Sequence, residues 1–71
     1  MKVERGIIVS LVMSKGFGFI RQDDGTDLFF HATGVCQPTF QELREGQPVE
    51  YMVIPSKHHE GEFKAIGVVV A

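Results

Sequence analysis

Two short aromatic segments carry most of the chemical information in this chain, Lys15-Gly16-Phe17-Gly18-Phe19-Ile20 and Leu28-Phe29-Phe30-His31. On paired strands, residues two apart share a face, so Lys15, Phe17 and Phe19 line up beside Phe29 and His31. Flat rings held at a surface suit the π-faces of unpaired bases, which stack on aromatic side chains without regard to sequence, while a cation at the edge reaches a phosphate. Phe30 and Leu28 point the other way and are expected in the core. The competing reading of Phe17, Phe19 and Phe29 is burial, the ordinary fate of a phenylalanine in a β domain. Gly16 and Gly18 weaken it: between the rings they leave an inner face without side chains, which permits close strand packing but fills little core volume. His31 is either a hydrogen-bonding structural histidine, a metal ligand or a stacking ring; its spacing from Phe29 favours stacking.

Other constellations offer less. His58-His59-Glu60 has metal-ligand residue types, but adjacent residues on an extended chain project in opposite directions and a site needs three or four converging ligands. A solvated loop is the expectation there. Ser10, Asp27 and His31 are the residue types of a hydrolase triad without a nucleophile elbow, an oxyanion loop or a chain long enough to build a deep pocket. Gly16-Phe17-Gly18 lacks the Lys-Ser/Thr ending and following helix of a phosphate-cradling loop. Cys36, the one cysteine, cannot form an internal disulfide and fits a reduced cytoplasmic protein. No catalytic residue, metal or cofactor is expected, and the chain does not read as an enzyme.

The formal charge of −2 argues against bulk electrostatic capture of duplex DNA. Its distribution is uneven: Lys2, Arg5, Lys15 and Arg21 oppose only Glu4 in residues 1–21, a balance of +3, which leaves −5 for residues 22–71. Positive charge thus gathers where the aromatic face begins. Arg21, Lys57 and Lys64 read as ordinary surface charges, each with a phosphate contact as the alternative. A length of 71 residues implies a single domain over 1–71 with one small core. Met1 to Met13 has neither the pattern of a signal peptide nor the length to span a bilayer, so a cytoplasmic location is expected.

The elements that must hold these side chains are short strands. Residues 6–13 are rich in β-branched side chains and 15–22 follow closely, which predicts two strands in tight connection. Asp23-Asp24-Gly25-Thr26 supplies the positive φ of a hairpin reversal, and 27–31 returns as a third strand. Residues 32–48, punctuated by Gly34, Pro38, Gly46 and Pro48, read as a long loop with one short helical turn near Gln41–Glu45. A fourth strand over 49–54 places Val49, Tyr51 and Val53 on one face and ends at Pro55; after a polar loop, Phe63 to Ala71 forms the fifth. Five short antiparallel strands without a helix of useful length predict an all-β fold, a small barrel whose closure removes exposed edges.

Lys15-Gly16-Phe17-Gly18-Phe19-Ile20 and Leu28-Phe29-Phe30-His31-Ala32 resemble the two motifs of the cold-shock domain family, Lys-Gly-Phe-Gly-Phe-Ile and Val-Phe-Val-His-Phe. The similarity runs in order through Gly6, the Asp24-Gly25 turn, Leu43, Glu45-Gly46-Gln47 and Val68. The resemblance implies a five-stranded oligonucleotide-binding barrel whose first three strands present an aromatic face to single-stranded RNA or DNA, in a non-enzymatic RNA chaperone or regulator of transcription or translation. Carried across position by position, it implies contacts from Lys15, Phe17, Phe19, Phe29 and His31, with Phe40 matching an aromatic in the loop after the third strand. Phe40 reads either as a plug under that loop or as a further stacking ring.

The departures from the family pattern matter equally. Val9-Ser10-Leu11-Val12 stands where the family usually has Lys-Trp-Phe-Asn, and Ala32 replaces the aromatic after the histidine. Two stacking groups and one cation are missing, and at about 1–3 kcal/mol per stack this predicts micromolar rather than nanomolar binding. Phe63, near the start of the fifth strand where relatives commonly carry a proline, is the candidate replacement. A reading from another class is a protein-interaction module or a homodimer by strand exchange, suggested by the missing groups and by the apolar Ile7-Ile8-Val9 and Val68-Val69-Val70 segments. A monomer that binds single strands is the primary expectation.

Overall fold

The computed structural model describes residues 2–37, 39–57 and 60–71. Its strands are β1 (Glu4–Val12), β2 (Phe17–Gln22), β3 (Asp27–His31), β4 (Val35–Gln37), β5 (Pro48–Pro55) and β6 (Phe63–Val70), with single 3₁₀ turns at Ala32–Gly34 and Phe40–Glu42. Local chemistry sets the first two reversals. Residues 13–16 turn on Gly16 at φ 72°, with the Lys15 and Gly16 amides both donating to the Val12 carbonyl at 3.2 and 2.9 Å. The β2–β3 turn uses Gly25 at φ 87°, and the Asp24 carboxylate accepts from the Thr26 amide at 3.0 Å and the Thr26 hydroxyl at 2.6 Å.

Antiparallel ladders join β3 to β2, β2 to β1, β1 to β5 and β5 to β6. The barrel of five long strands then closes where β3 meets β6, Phe29 beside Lys64 and Phe30 beside Ala65. That closing pair is parallel, a correction to the uniformly antiparallel expectation. The expected loop over 32–48 also contains β4, which pairs parallel to the later part of β6 through Val35–Val68 and Gln37–Val69. Three residues are too few to show a period, so this strand exists by virtue of its partner, not its own sequence. The helical turn expected near 41–45 falls slightly earlier, at Phe40–Glu42.

Alternation puts one side of each ladder inside. Ile8, Ile20, Phe30, Val49, Tyr51 and Val68 are each at most 2% exposed, with Leu28, Leu43 and Ala65 beside them. Phe40 belongs to this core: it is 4% exposed and its ring centroid lies 6.1 Å from that of Phe30. It is therefore the plug under the loop, and the expectation of a stacking ring at position 40 is corrected, since its faces are covered by core side chains. Tyr51 keeps its hydroxyl near Gln22 Oε1 at 3.4 Å and the Arg5 carbonyl at 3.5 Å; burial pushes its pKa above the ordinary 10.0, with Glu4, Asp23 and Asp24 adding to the shift.

Gly18 has no room for a side chain: a Cβ there would lie 2.6 Å from the Ser10 carbonyl oxygen and 2.9 Å from the Phe30 ring. Gly18→Ala is therefore expected to cost about 1–3 kcal/mol, measured as a lower urea midpoint at unchanged slope. An unchanged midpoint would mean that β1 and β2 separate at no cost.

Asp24 and Asp27 are both held below the ordinary carboxylate value of 3.8, the first mainly by the Thr26 hydroxyl and the second mainly by its hydrogen bond from Arg21. A depressed folded-state pKa contributes stability above the ordinary value that is lost as pH falls through the folded one. Urea midpoints are expected to decline on acidification below 3.8, and Asp27→Asn should flatten that decline; an equally steep profile in the variant would remove Asp27 from the account.

Candidate nucleic-acid interface

The β2–β3 register places Phe17 opposite His31, Phe19 opposite Phe29 and Arg21 opposite Asp27, with Gly18–Phe30 and Ile20–Leu28 on the inner side. Directly opposed residues share a face, so three rings and an imidazole lie together on the outside of the barrel. Phe17 and Phe29 are tilted by 33° with centroids 5.6 Å apart, while Phe19 meets Phe17 edge-on at 6.1 Å and Phe29 edge-on at 6.0 Å. The three brace one another in favourable aromatic geometry and stay only partly buried. His31 is exposed at the end of β3.

β1 flanks this cluster with aliphatic and small groups. A bulge between Ile8 and Ser10 shifts the register so that Ser10 stands opposite Phe19, Leu11 opposite Gly18 and Val12 opposite Phe17. Leu11 therefore turns inward, and its amide is met at the free edge of β1 by Glu45 Oε2 at 3.2 Å. Ser10, where the family pattern has a tryptophan, leaves the β1 side of Phe19 without a ring. Ile7, opposite Arg21, is 43% exposed.

On the other side of the rings, β6 begins. Phe63 is 56% exposed, and with Phe19, Phe29, His31 and Lys64 it lines a cleft of about 630 Å³. Lys64 lies directly beside Phe29 through the parallel closing pair. The cations divide sharply. Arg21 is tied to Asp27 by a two-pronged contact at 2.8 and 3.2 Å, Arg5 to Glu50 at 3.2 Å and Lys2 to Glu4 at 3.9 Å, so the positive surplus of residues 1–21 is largely met by neighbouring acids. Among the described residues Lys15, Arg44, Lys57 and Lys64 have no ion pair; Lys15 precedes β2 and Lys64 lies beside Phe29.

Of the residues singled out by sequence, Phe17, Phe19, Phe29, His31 and Phe63 are brought together, and Phe40 is not. Lys15 lies in the 13–16 turn before β2, exposed, so strand alternation does not govern where it points. Lys64 gains its place beside Phe29 from a long-range parallel pairing that no local pattern announces. Asp27 is engaged by Arg21 and His31 by Thr33 at opposite ends of β3, so Ser10, Asp27 and His31 form no triad. His58 and His59 lie outside the described residues, among which no cluster of potential metal ligands occurs. Nor is any helix among them long and apolar enough to cross a membrane.

Comparison with known proteins agrees with this geometry. The family model described as the 'Cold-shock' DNA-binding domain matches residues 4–71. The cold shock-like protein CspC of Bacillus cereus is 45% identical over 40 residues, a stretch that covers 56% of this chain and 62%, under two thirds, of that relative. The cold shock-like protein of Thermotoga maritima is 38% identical over 53 residues, covering 75% of this chain and 80% of its own. Among solved structures, drosophila Unr CSD456 superimposes with a TM-score of 0.78 at 37% identity over 99% of this chain and 27% of that one. With residues 4–71 matched and the aromatic motifs in register on adjacent strands, the chain belongs to the cold-shock domain family, whose members bind nucleic acids and are not enzymes.

Proposed function

We propose that this chain acts as one module over residues 1–71 that binds single-stranded RNA or DNA with little sequence preference. The observation that carries the reading is the braced cluster of Phe17, Phe19 and Phe29, partly buried on the outside of the barrel with His31 and Phe63 at its border. Each ring offers a base a flat apolar partner, and stacking is tolerant of base identity because every base has a π-face. Lys15 and Lys64 supply phosphate contacts. By holding strands open, such a module opposes base pairing without an ATP site, which supports a role as a cytoplasmic RNA chaperone or a regulator of transcription or translation.

The exposed Ile7 on β1 and Met13 in the turn after it, 43% and 46% accessible, favour a second reading, self-association or protein binding through this edge. It ranks lower because Ile8 and Val68, from the segments that suggested it, are fully buried in the barrel core. Light scattering separates the two: a concentration-independent monomer that binds an oligonucleotide supports the first, and a stable oligomer indifferent to nucleic acid supports the second.

Phe17→Ala and Phe29→Ala are each expected to weaken binding of a short unstructured oligonucleotide by about 1–3 kcal/mol, roughly 5- to 150-fold. Phe63→Ala should do the same if position 63 replaces a missing stack; unchanged affinity there, with loss at Phe17, would leave Phe63 outside the contact surface.

Few free cations imply a shallow salt dependence. Lys15→Ala is expected to reduce the slope of log affinity against log salt by about 0.7, the increment for one phosphate contact on a single strand. An identical slope would show that Lys15 stays in solvent.

A further inference from the structure

His31 does more at the end of β3 than present a ring. Its backbone is extended, with φ −106° and ψ 156°, and its side chain caps the 3₁₀ turn Ala32–Gly34: the Thr33 amide donates to Nδ1 at 3.2 Å, and Thr33 Oγ1 lies 3.0 Å from the same nitrogen. An amide N–H is a donor only, so the atom it addresses must offer a lone pair. A hydrogen on Nδ1 would oppose the amide hydrogen. The neutral ring that satisfies this amide carries its proton on Nε2, with the Thr33 hydroxyl as a second donor to Nδ1; the opposite tautomer would donate to Thr33 Oγ1 and leave the amide unpaired. The partner of one ring nitrogen decides the state of the other.

The turn that imposes this is itself fixed. The Ala32 amide donates to the Gly16 carbonyl at 2.8 Å, the Val35 amide closes on the Ala32 carbonyl, and a Cβ at Gly34 would lie 3.2 Å from the Ala65 carbonyl on β6. Pinned to the β1–β2 turn on one side and packed against β6 on the other, it cannot swing away to accept a different tautomer.

We propose that Thr33 is a positioning residue that locks His31 as the Nε2–H tautomer, so that His31 meets a bound strand as a hydrogen-bond donor to an oxygen acceptor. The inference rests on the reading of this face as a single-strand site. Nδ1 is occupied by Thr33, and among the described residues Nε2 has no hydrogen-bond partner. The ring also lines the cleft with Phe29, Phe63 and Lys64. One imidazole thus serves in two directions, its face for stacking and its Nε2 edge for an oxygen, either a base carbonyl or a non-bridging phosphate oxygen.

The test is long-range proton–nitrogen NMR on the whole chain with a hexathymidylate probe. In the free protein at mildly alkaline pH, Nδ1 of His31 should resonate as an unprotonated nitrogen and Nε2 as a protonated one; a protonated Nδ1, or a fast average of the two forms, would overturn the lock. Thr33→Val should raise the minor tautomer and Thr33→Ser should restore the wild-type signature; no change in Thr33→Val would overturn the part given to the hydroxyl. On binding, the Nε2 proton should become protected from exchange, and His31→Phe, which keeps a flat ring and loses the donor, should cost roughly two- to tenfold in affinity. Protection lost on a hexamer of the carbonyl-free thymine isostere difluorotoluene assigns the acceptor to a base carbonyl, and protection that survives there assigns it to a phosphate oxygen. Hexathymidylate that binds without protecting this proton would overturn the donor role alone. Hexathymidylate that does not bind would overturn the reading of the face on which that role rests.

Discussion

Gly18 stands opposite Phe30 across the β2–β3 ladder, and the place its side chain would occupy is filled by the Phe30 ring on one side and the Ser10 carbonyl on the other. This close approach makes an outer aromatic face compatible with a small core. Because position 18 contributes no volume, Phe30 can lie beneath β2 and reach Phe40 across the interior, while Phe17 and Phe19 on either side of the glycine are not needed inside. A larger residue at position 18 would push β1 away or displace Phe30, and either movement would disturb the pairs that set Ser10 and Val12 beside the rings. The surface and the core are therefore two consequences of a single contact.

Electrostatics then decides the character of that surface. Arg21 would lie at one end of the aromatic row, but its two-pronged contact with Asp27 is a cross-strand pair fixed by the same register, and it leaves little net charge there. With Arg5 and Lys2 similarly matched, attraction for a polyanion falls to the four cations outside these pairs among the described residues, Lys15, Arg44, Lys57 and Lys64, of which Lys64 lies directly beside the rings. Aromatic contact consequently carries a larger share of the proposed binding than charge does, which suits a chain of net charge −2.

The sequence was informative wherever a short period or a single turn residue fixes geometry. Alternation across 17–20 and 28–31 separates Phe30 and Leu28 from Phe29 by pattern alone, because a strand has only two faces and the Asp24-Gly25 turn fixes how the two segments oppose each other. The same rule failed one step earlier, at Lys15, since the positive φ of Gly16 ends the strand and alternation does not extend through a turn. It gave no answer for Phe40, where the loop lacks a period and burial depends on what lies beneath. The parallel closure of β3 on β6 and the short β4 were illegible for a related reason: both are pairings between segments far apart in the chain, and neither leaves a local pattern. Thr33 has no signal in the sequence, and Lys64 reads there only as a surface charge with a phosphate contact as its alternative, because the importance of both comes from those contacts and not from their own type.

Two of the departures from the family pattern, at Ser10 and Phe63, can be weighed against each other in space. Ser10 opposite Phe19 removes a ring from the β1 side of the cluster, and the bulge that turns Leu11 inward prevents that residue from filling the gap. Phe63 stands across the cleft from Phe19 and Phe29, on the β6 side, next to the unpaired Lys64. One aromatic and one cation are thus absent on the β1 flank of the rings, with a second aromatic missing at Ala32, and one aromatic and one cation are present on the other. The barrel tolerates such an exchange because the outward positions of β1 and the first residues of β6 contribute little to the core, so changing them alters the ligand surface while the contact at Gly18 continues to hold the fold. In the proposed mode of binding, the strand's track moves with them, away from β1 and toward the cleft bounded by His31, Phe63 and Lys64.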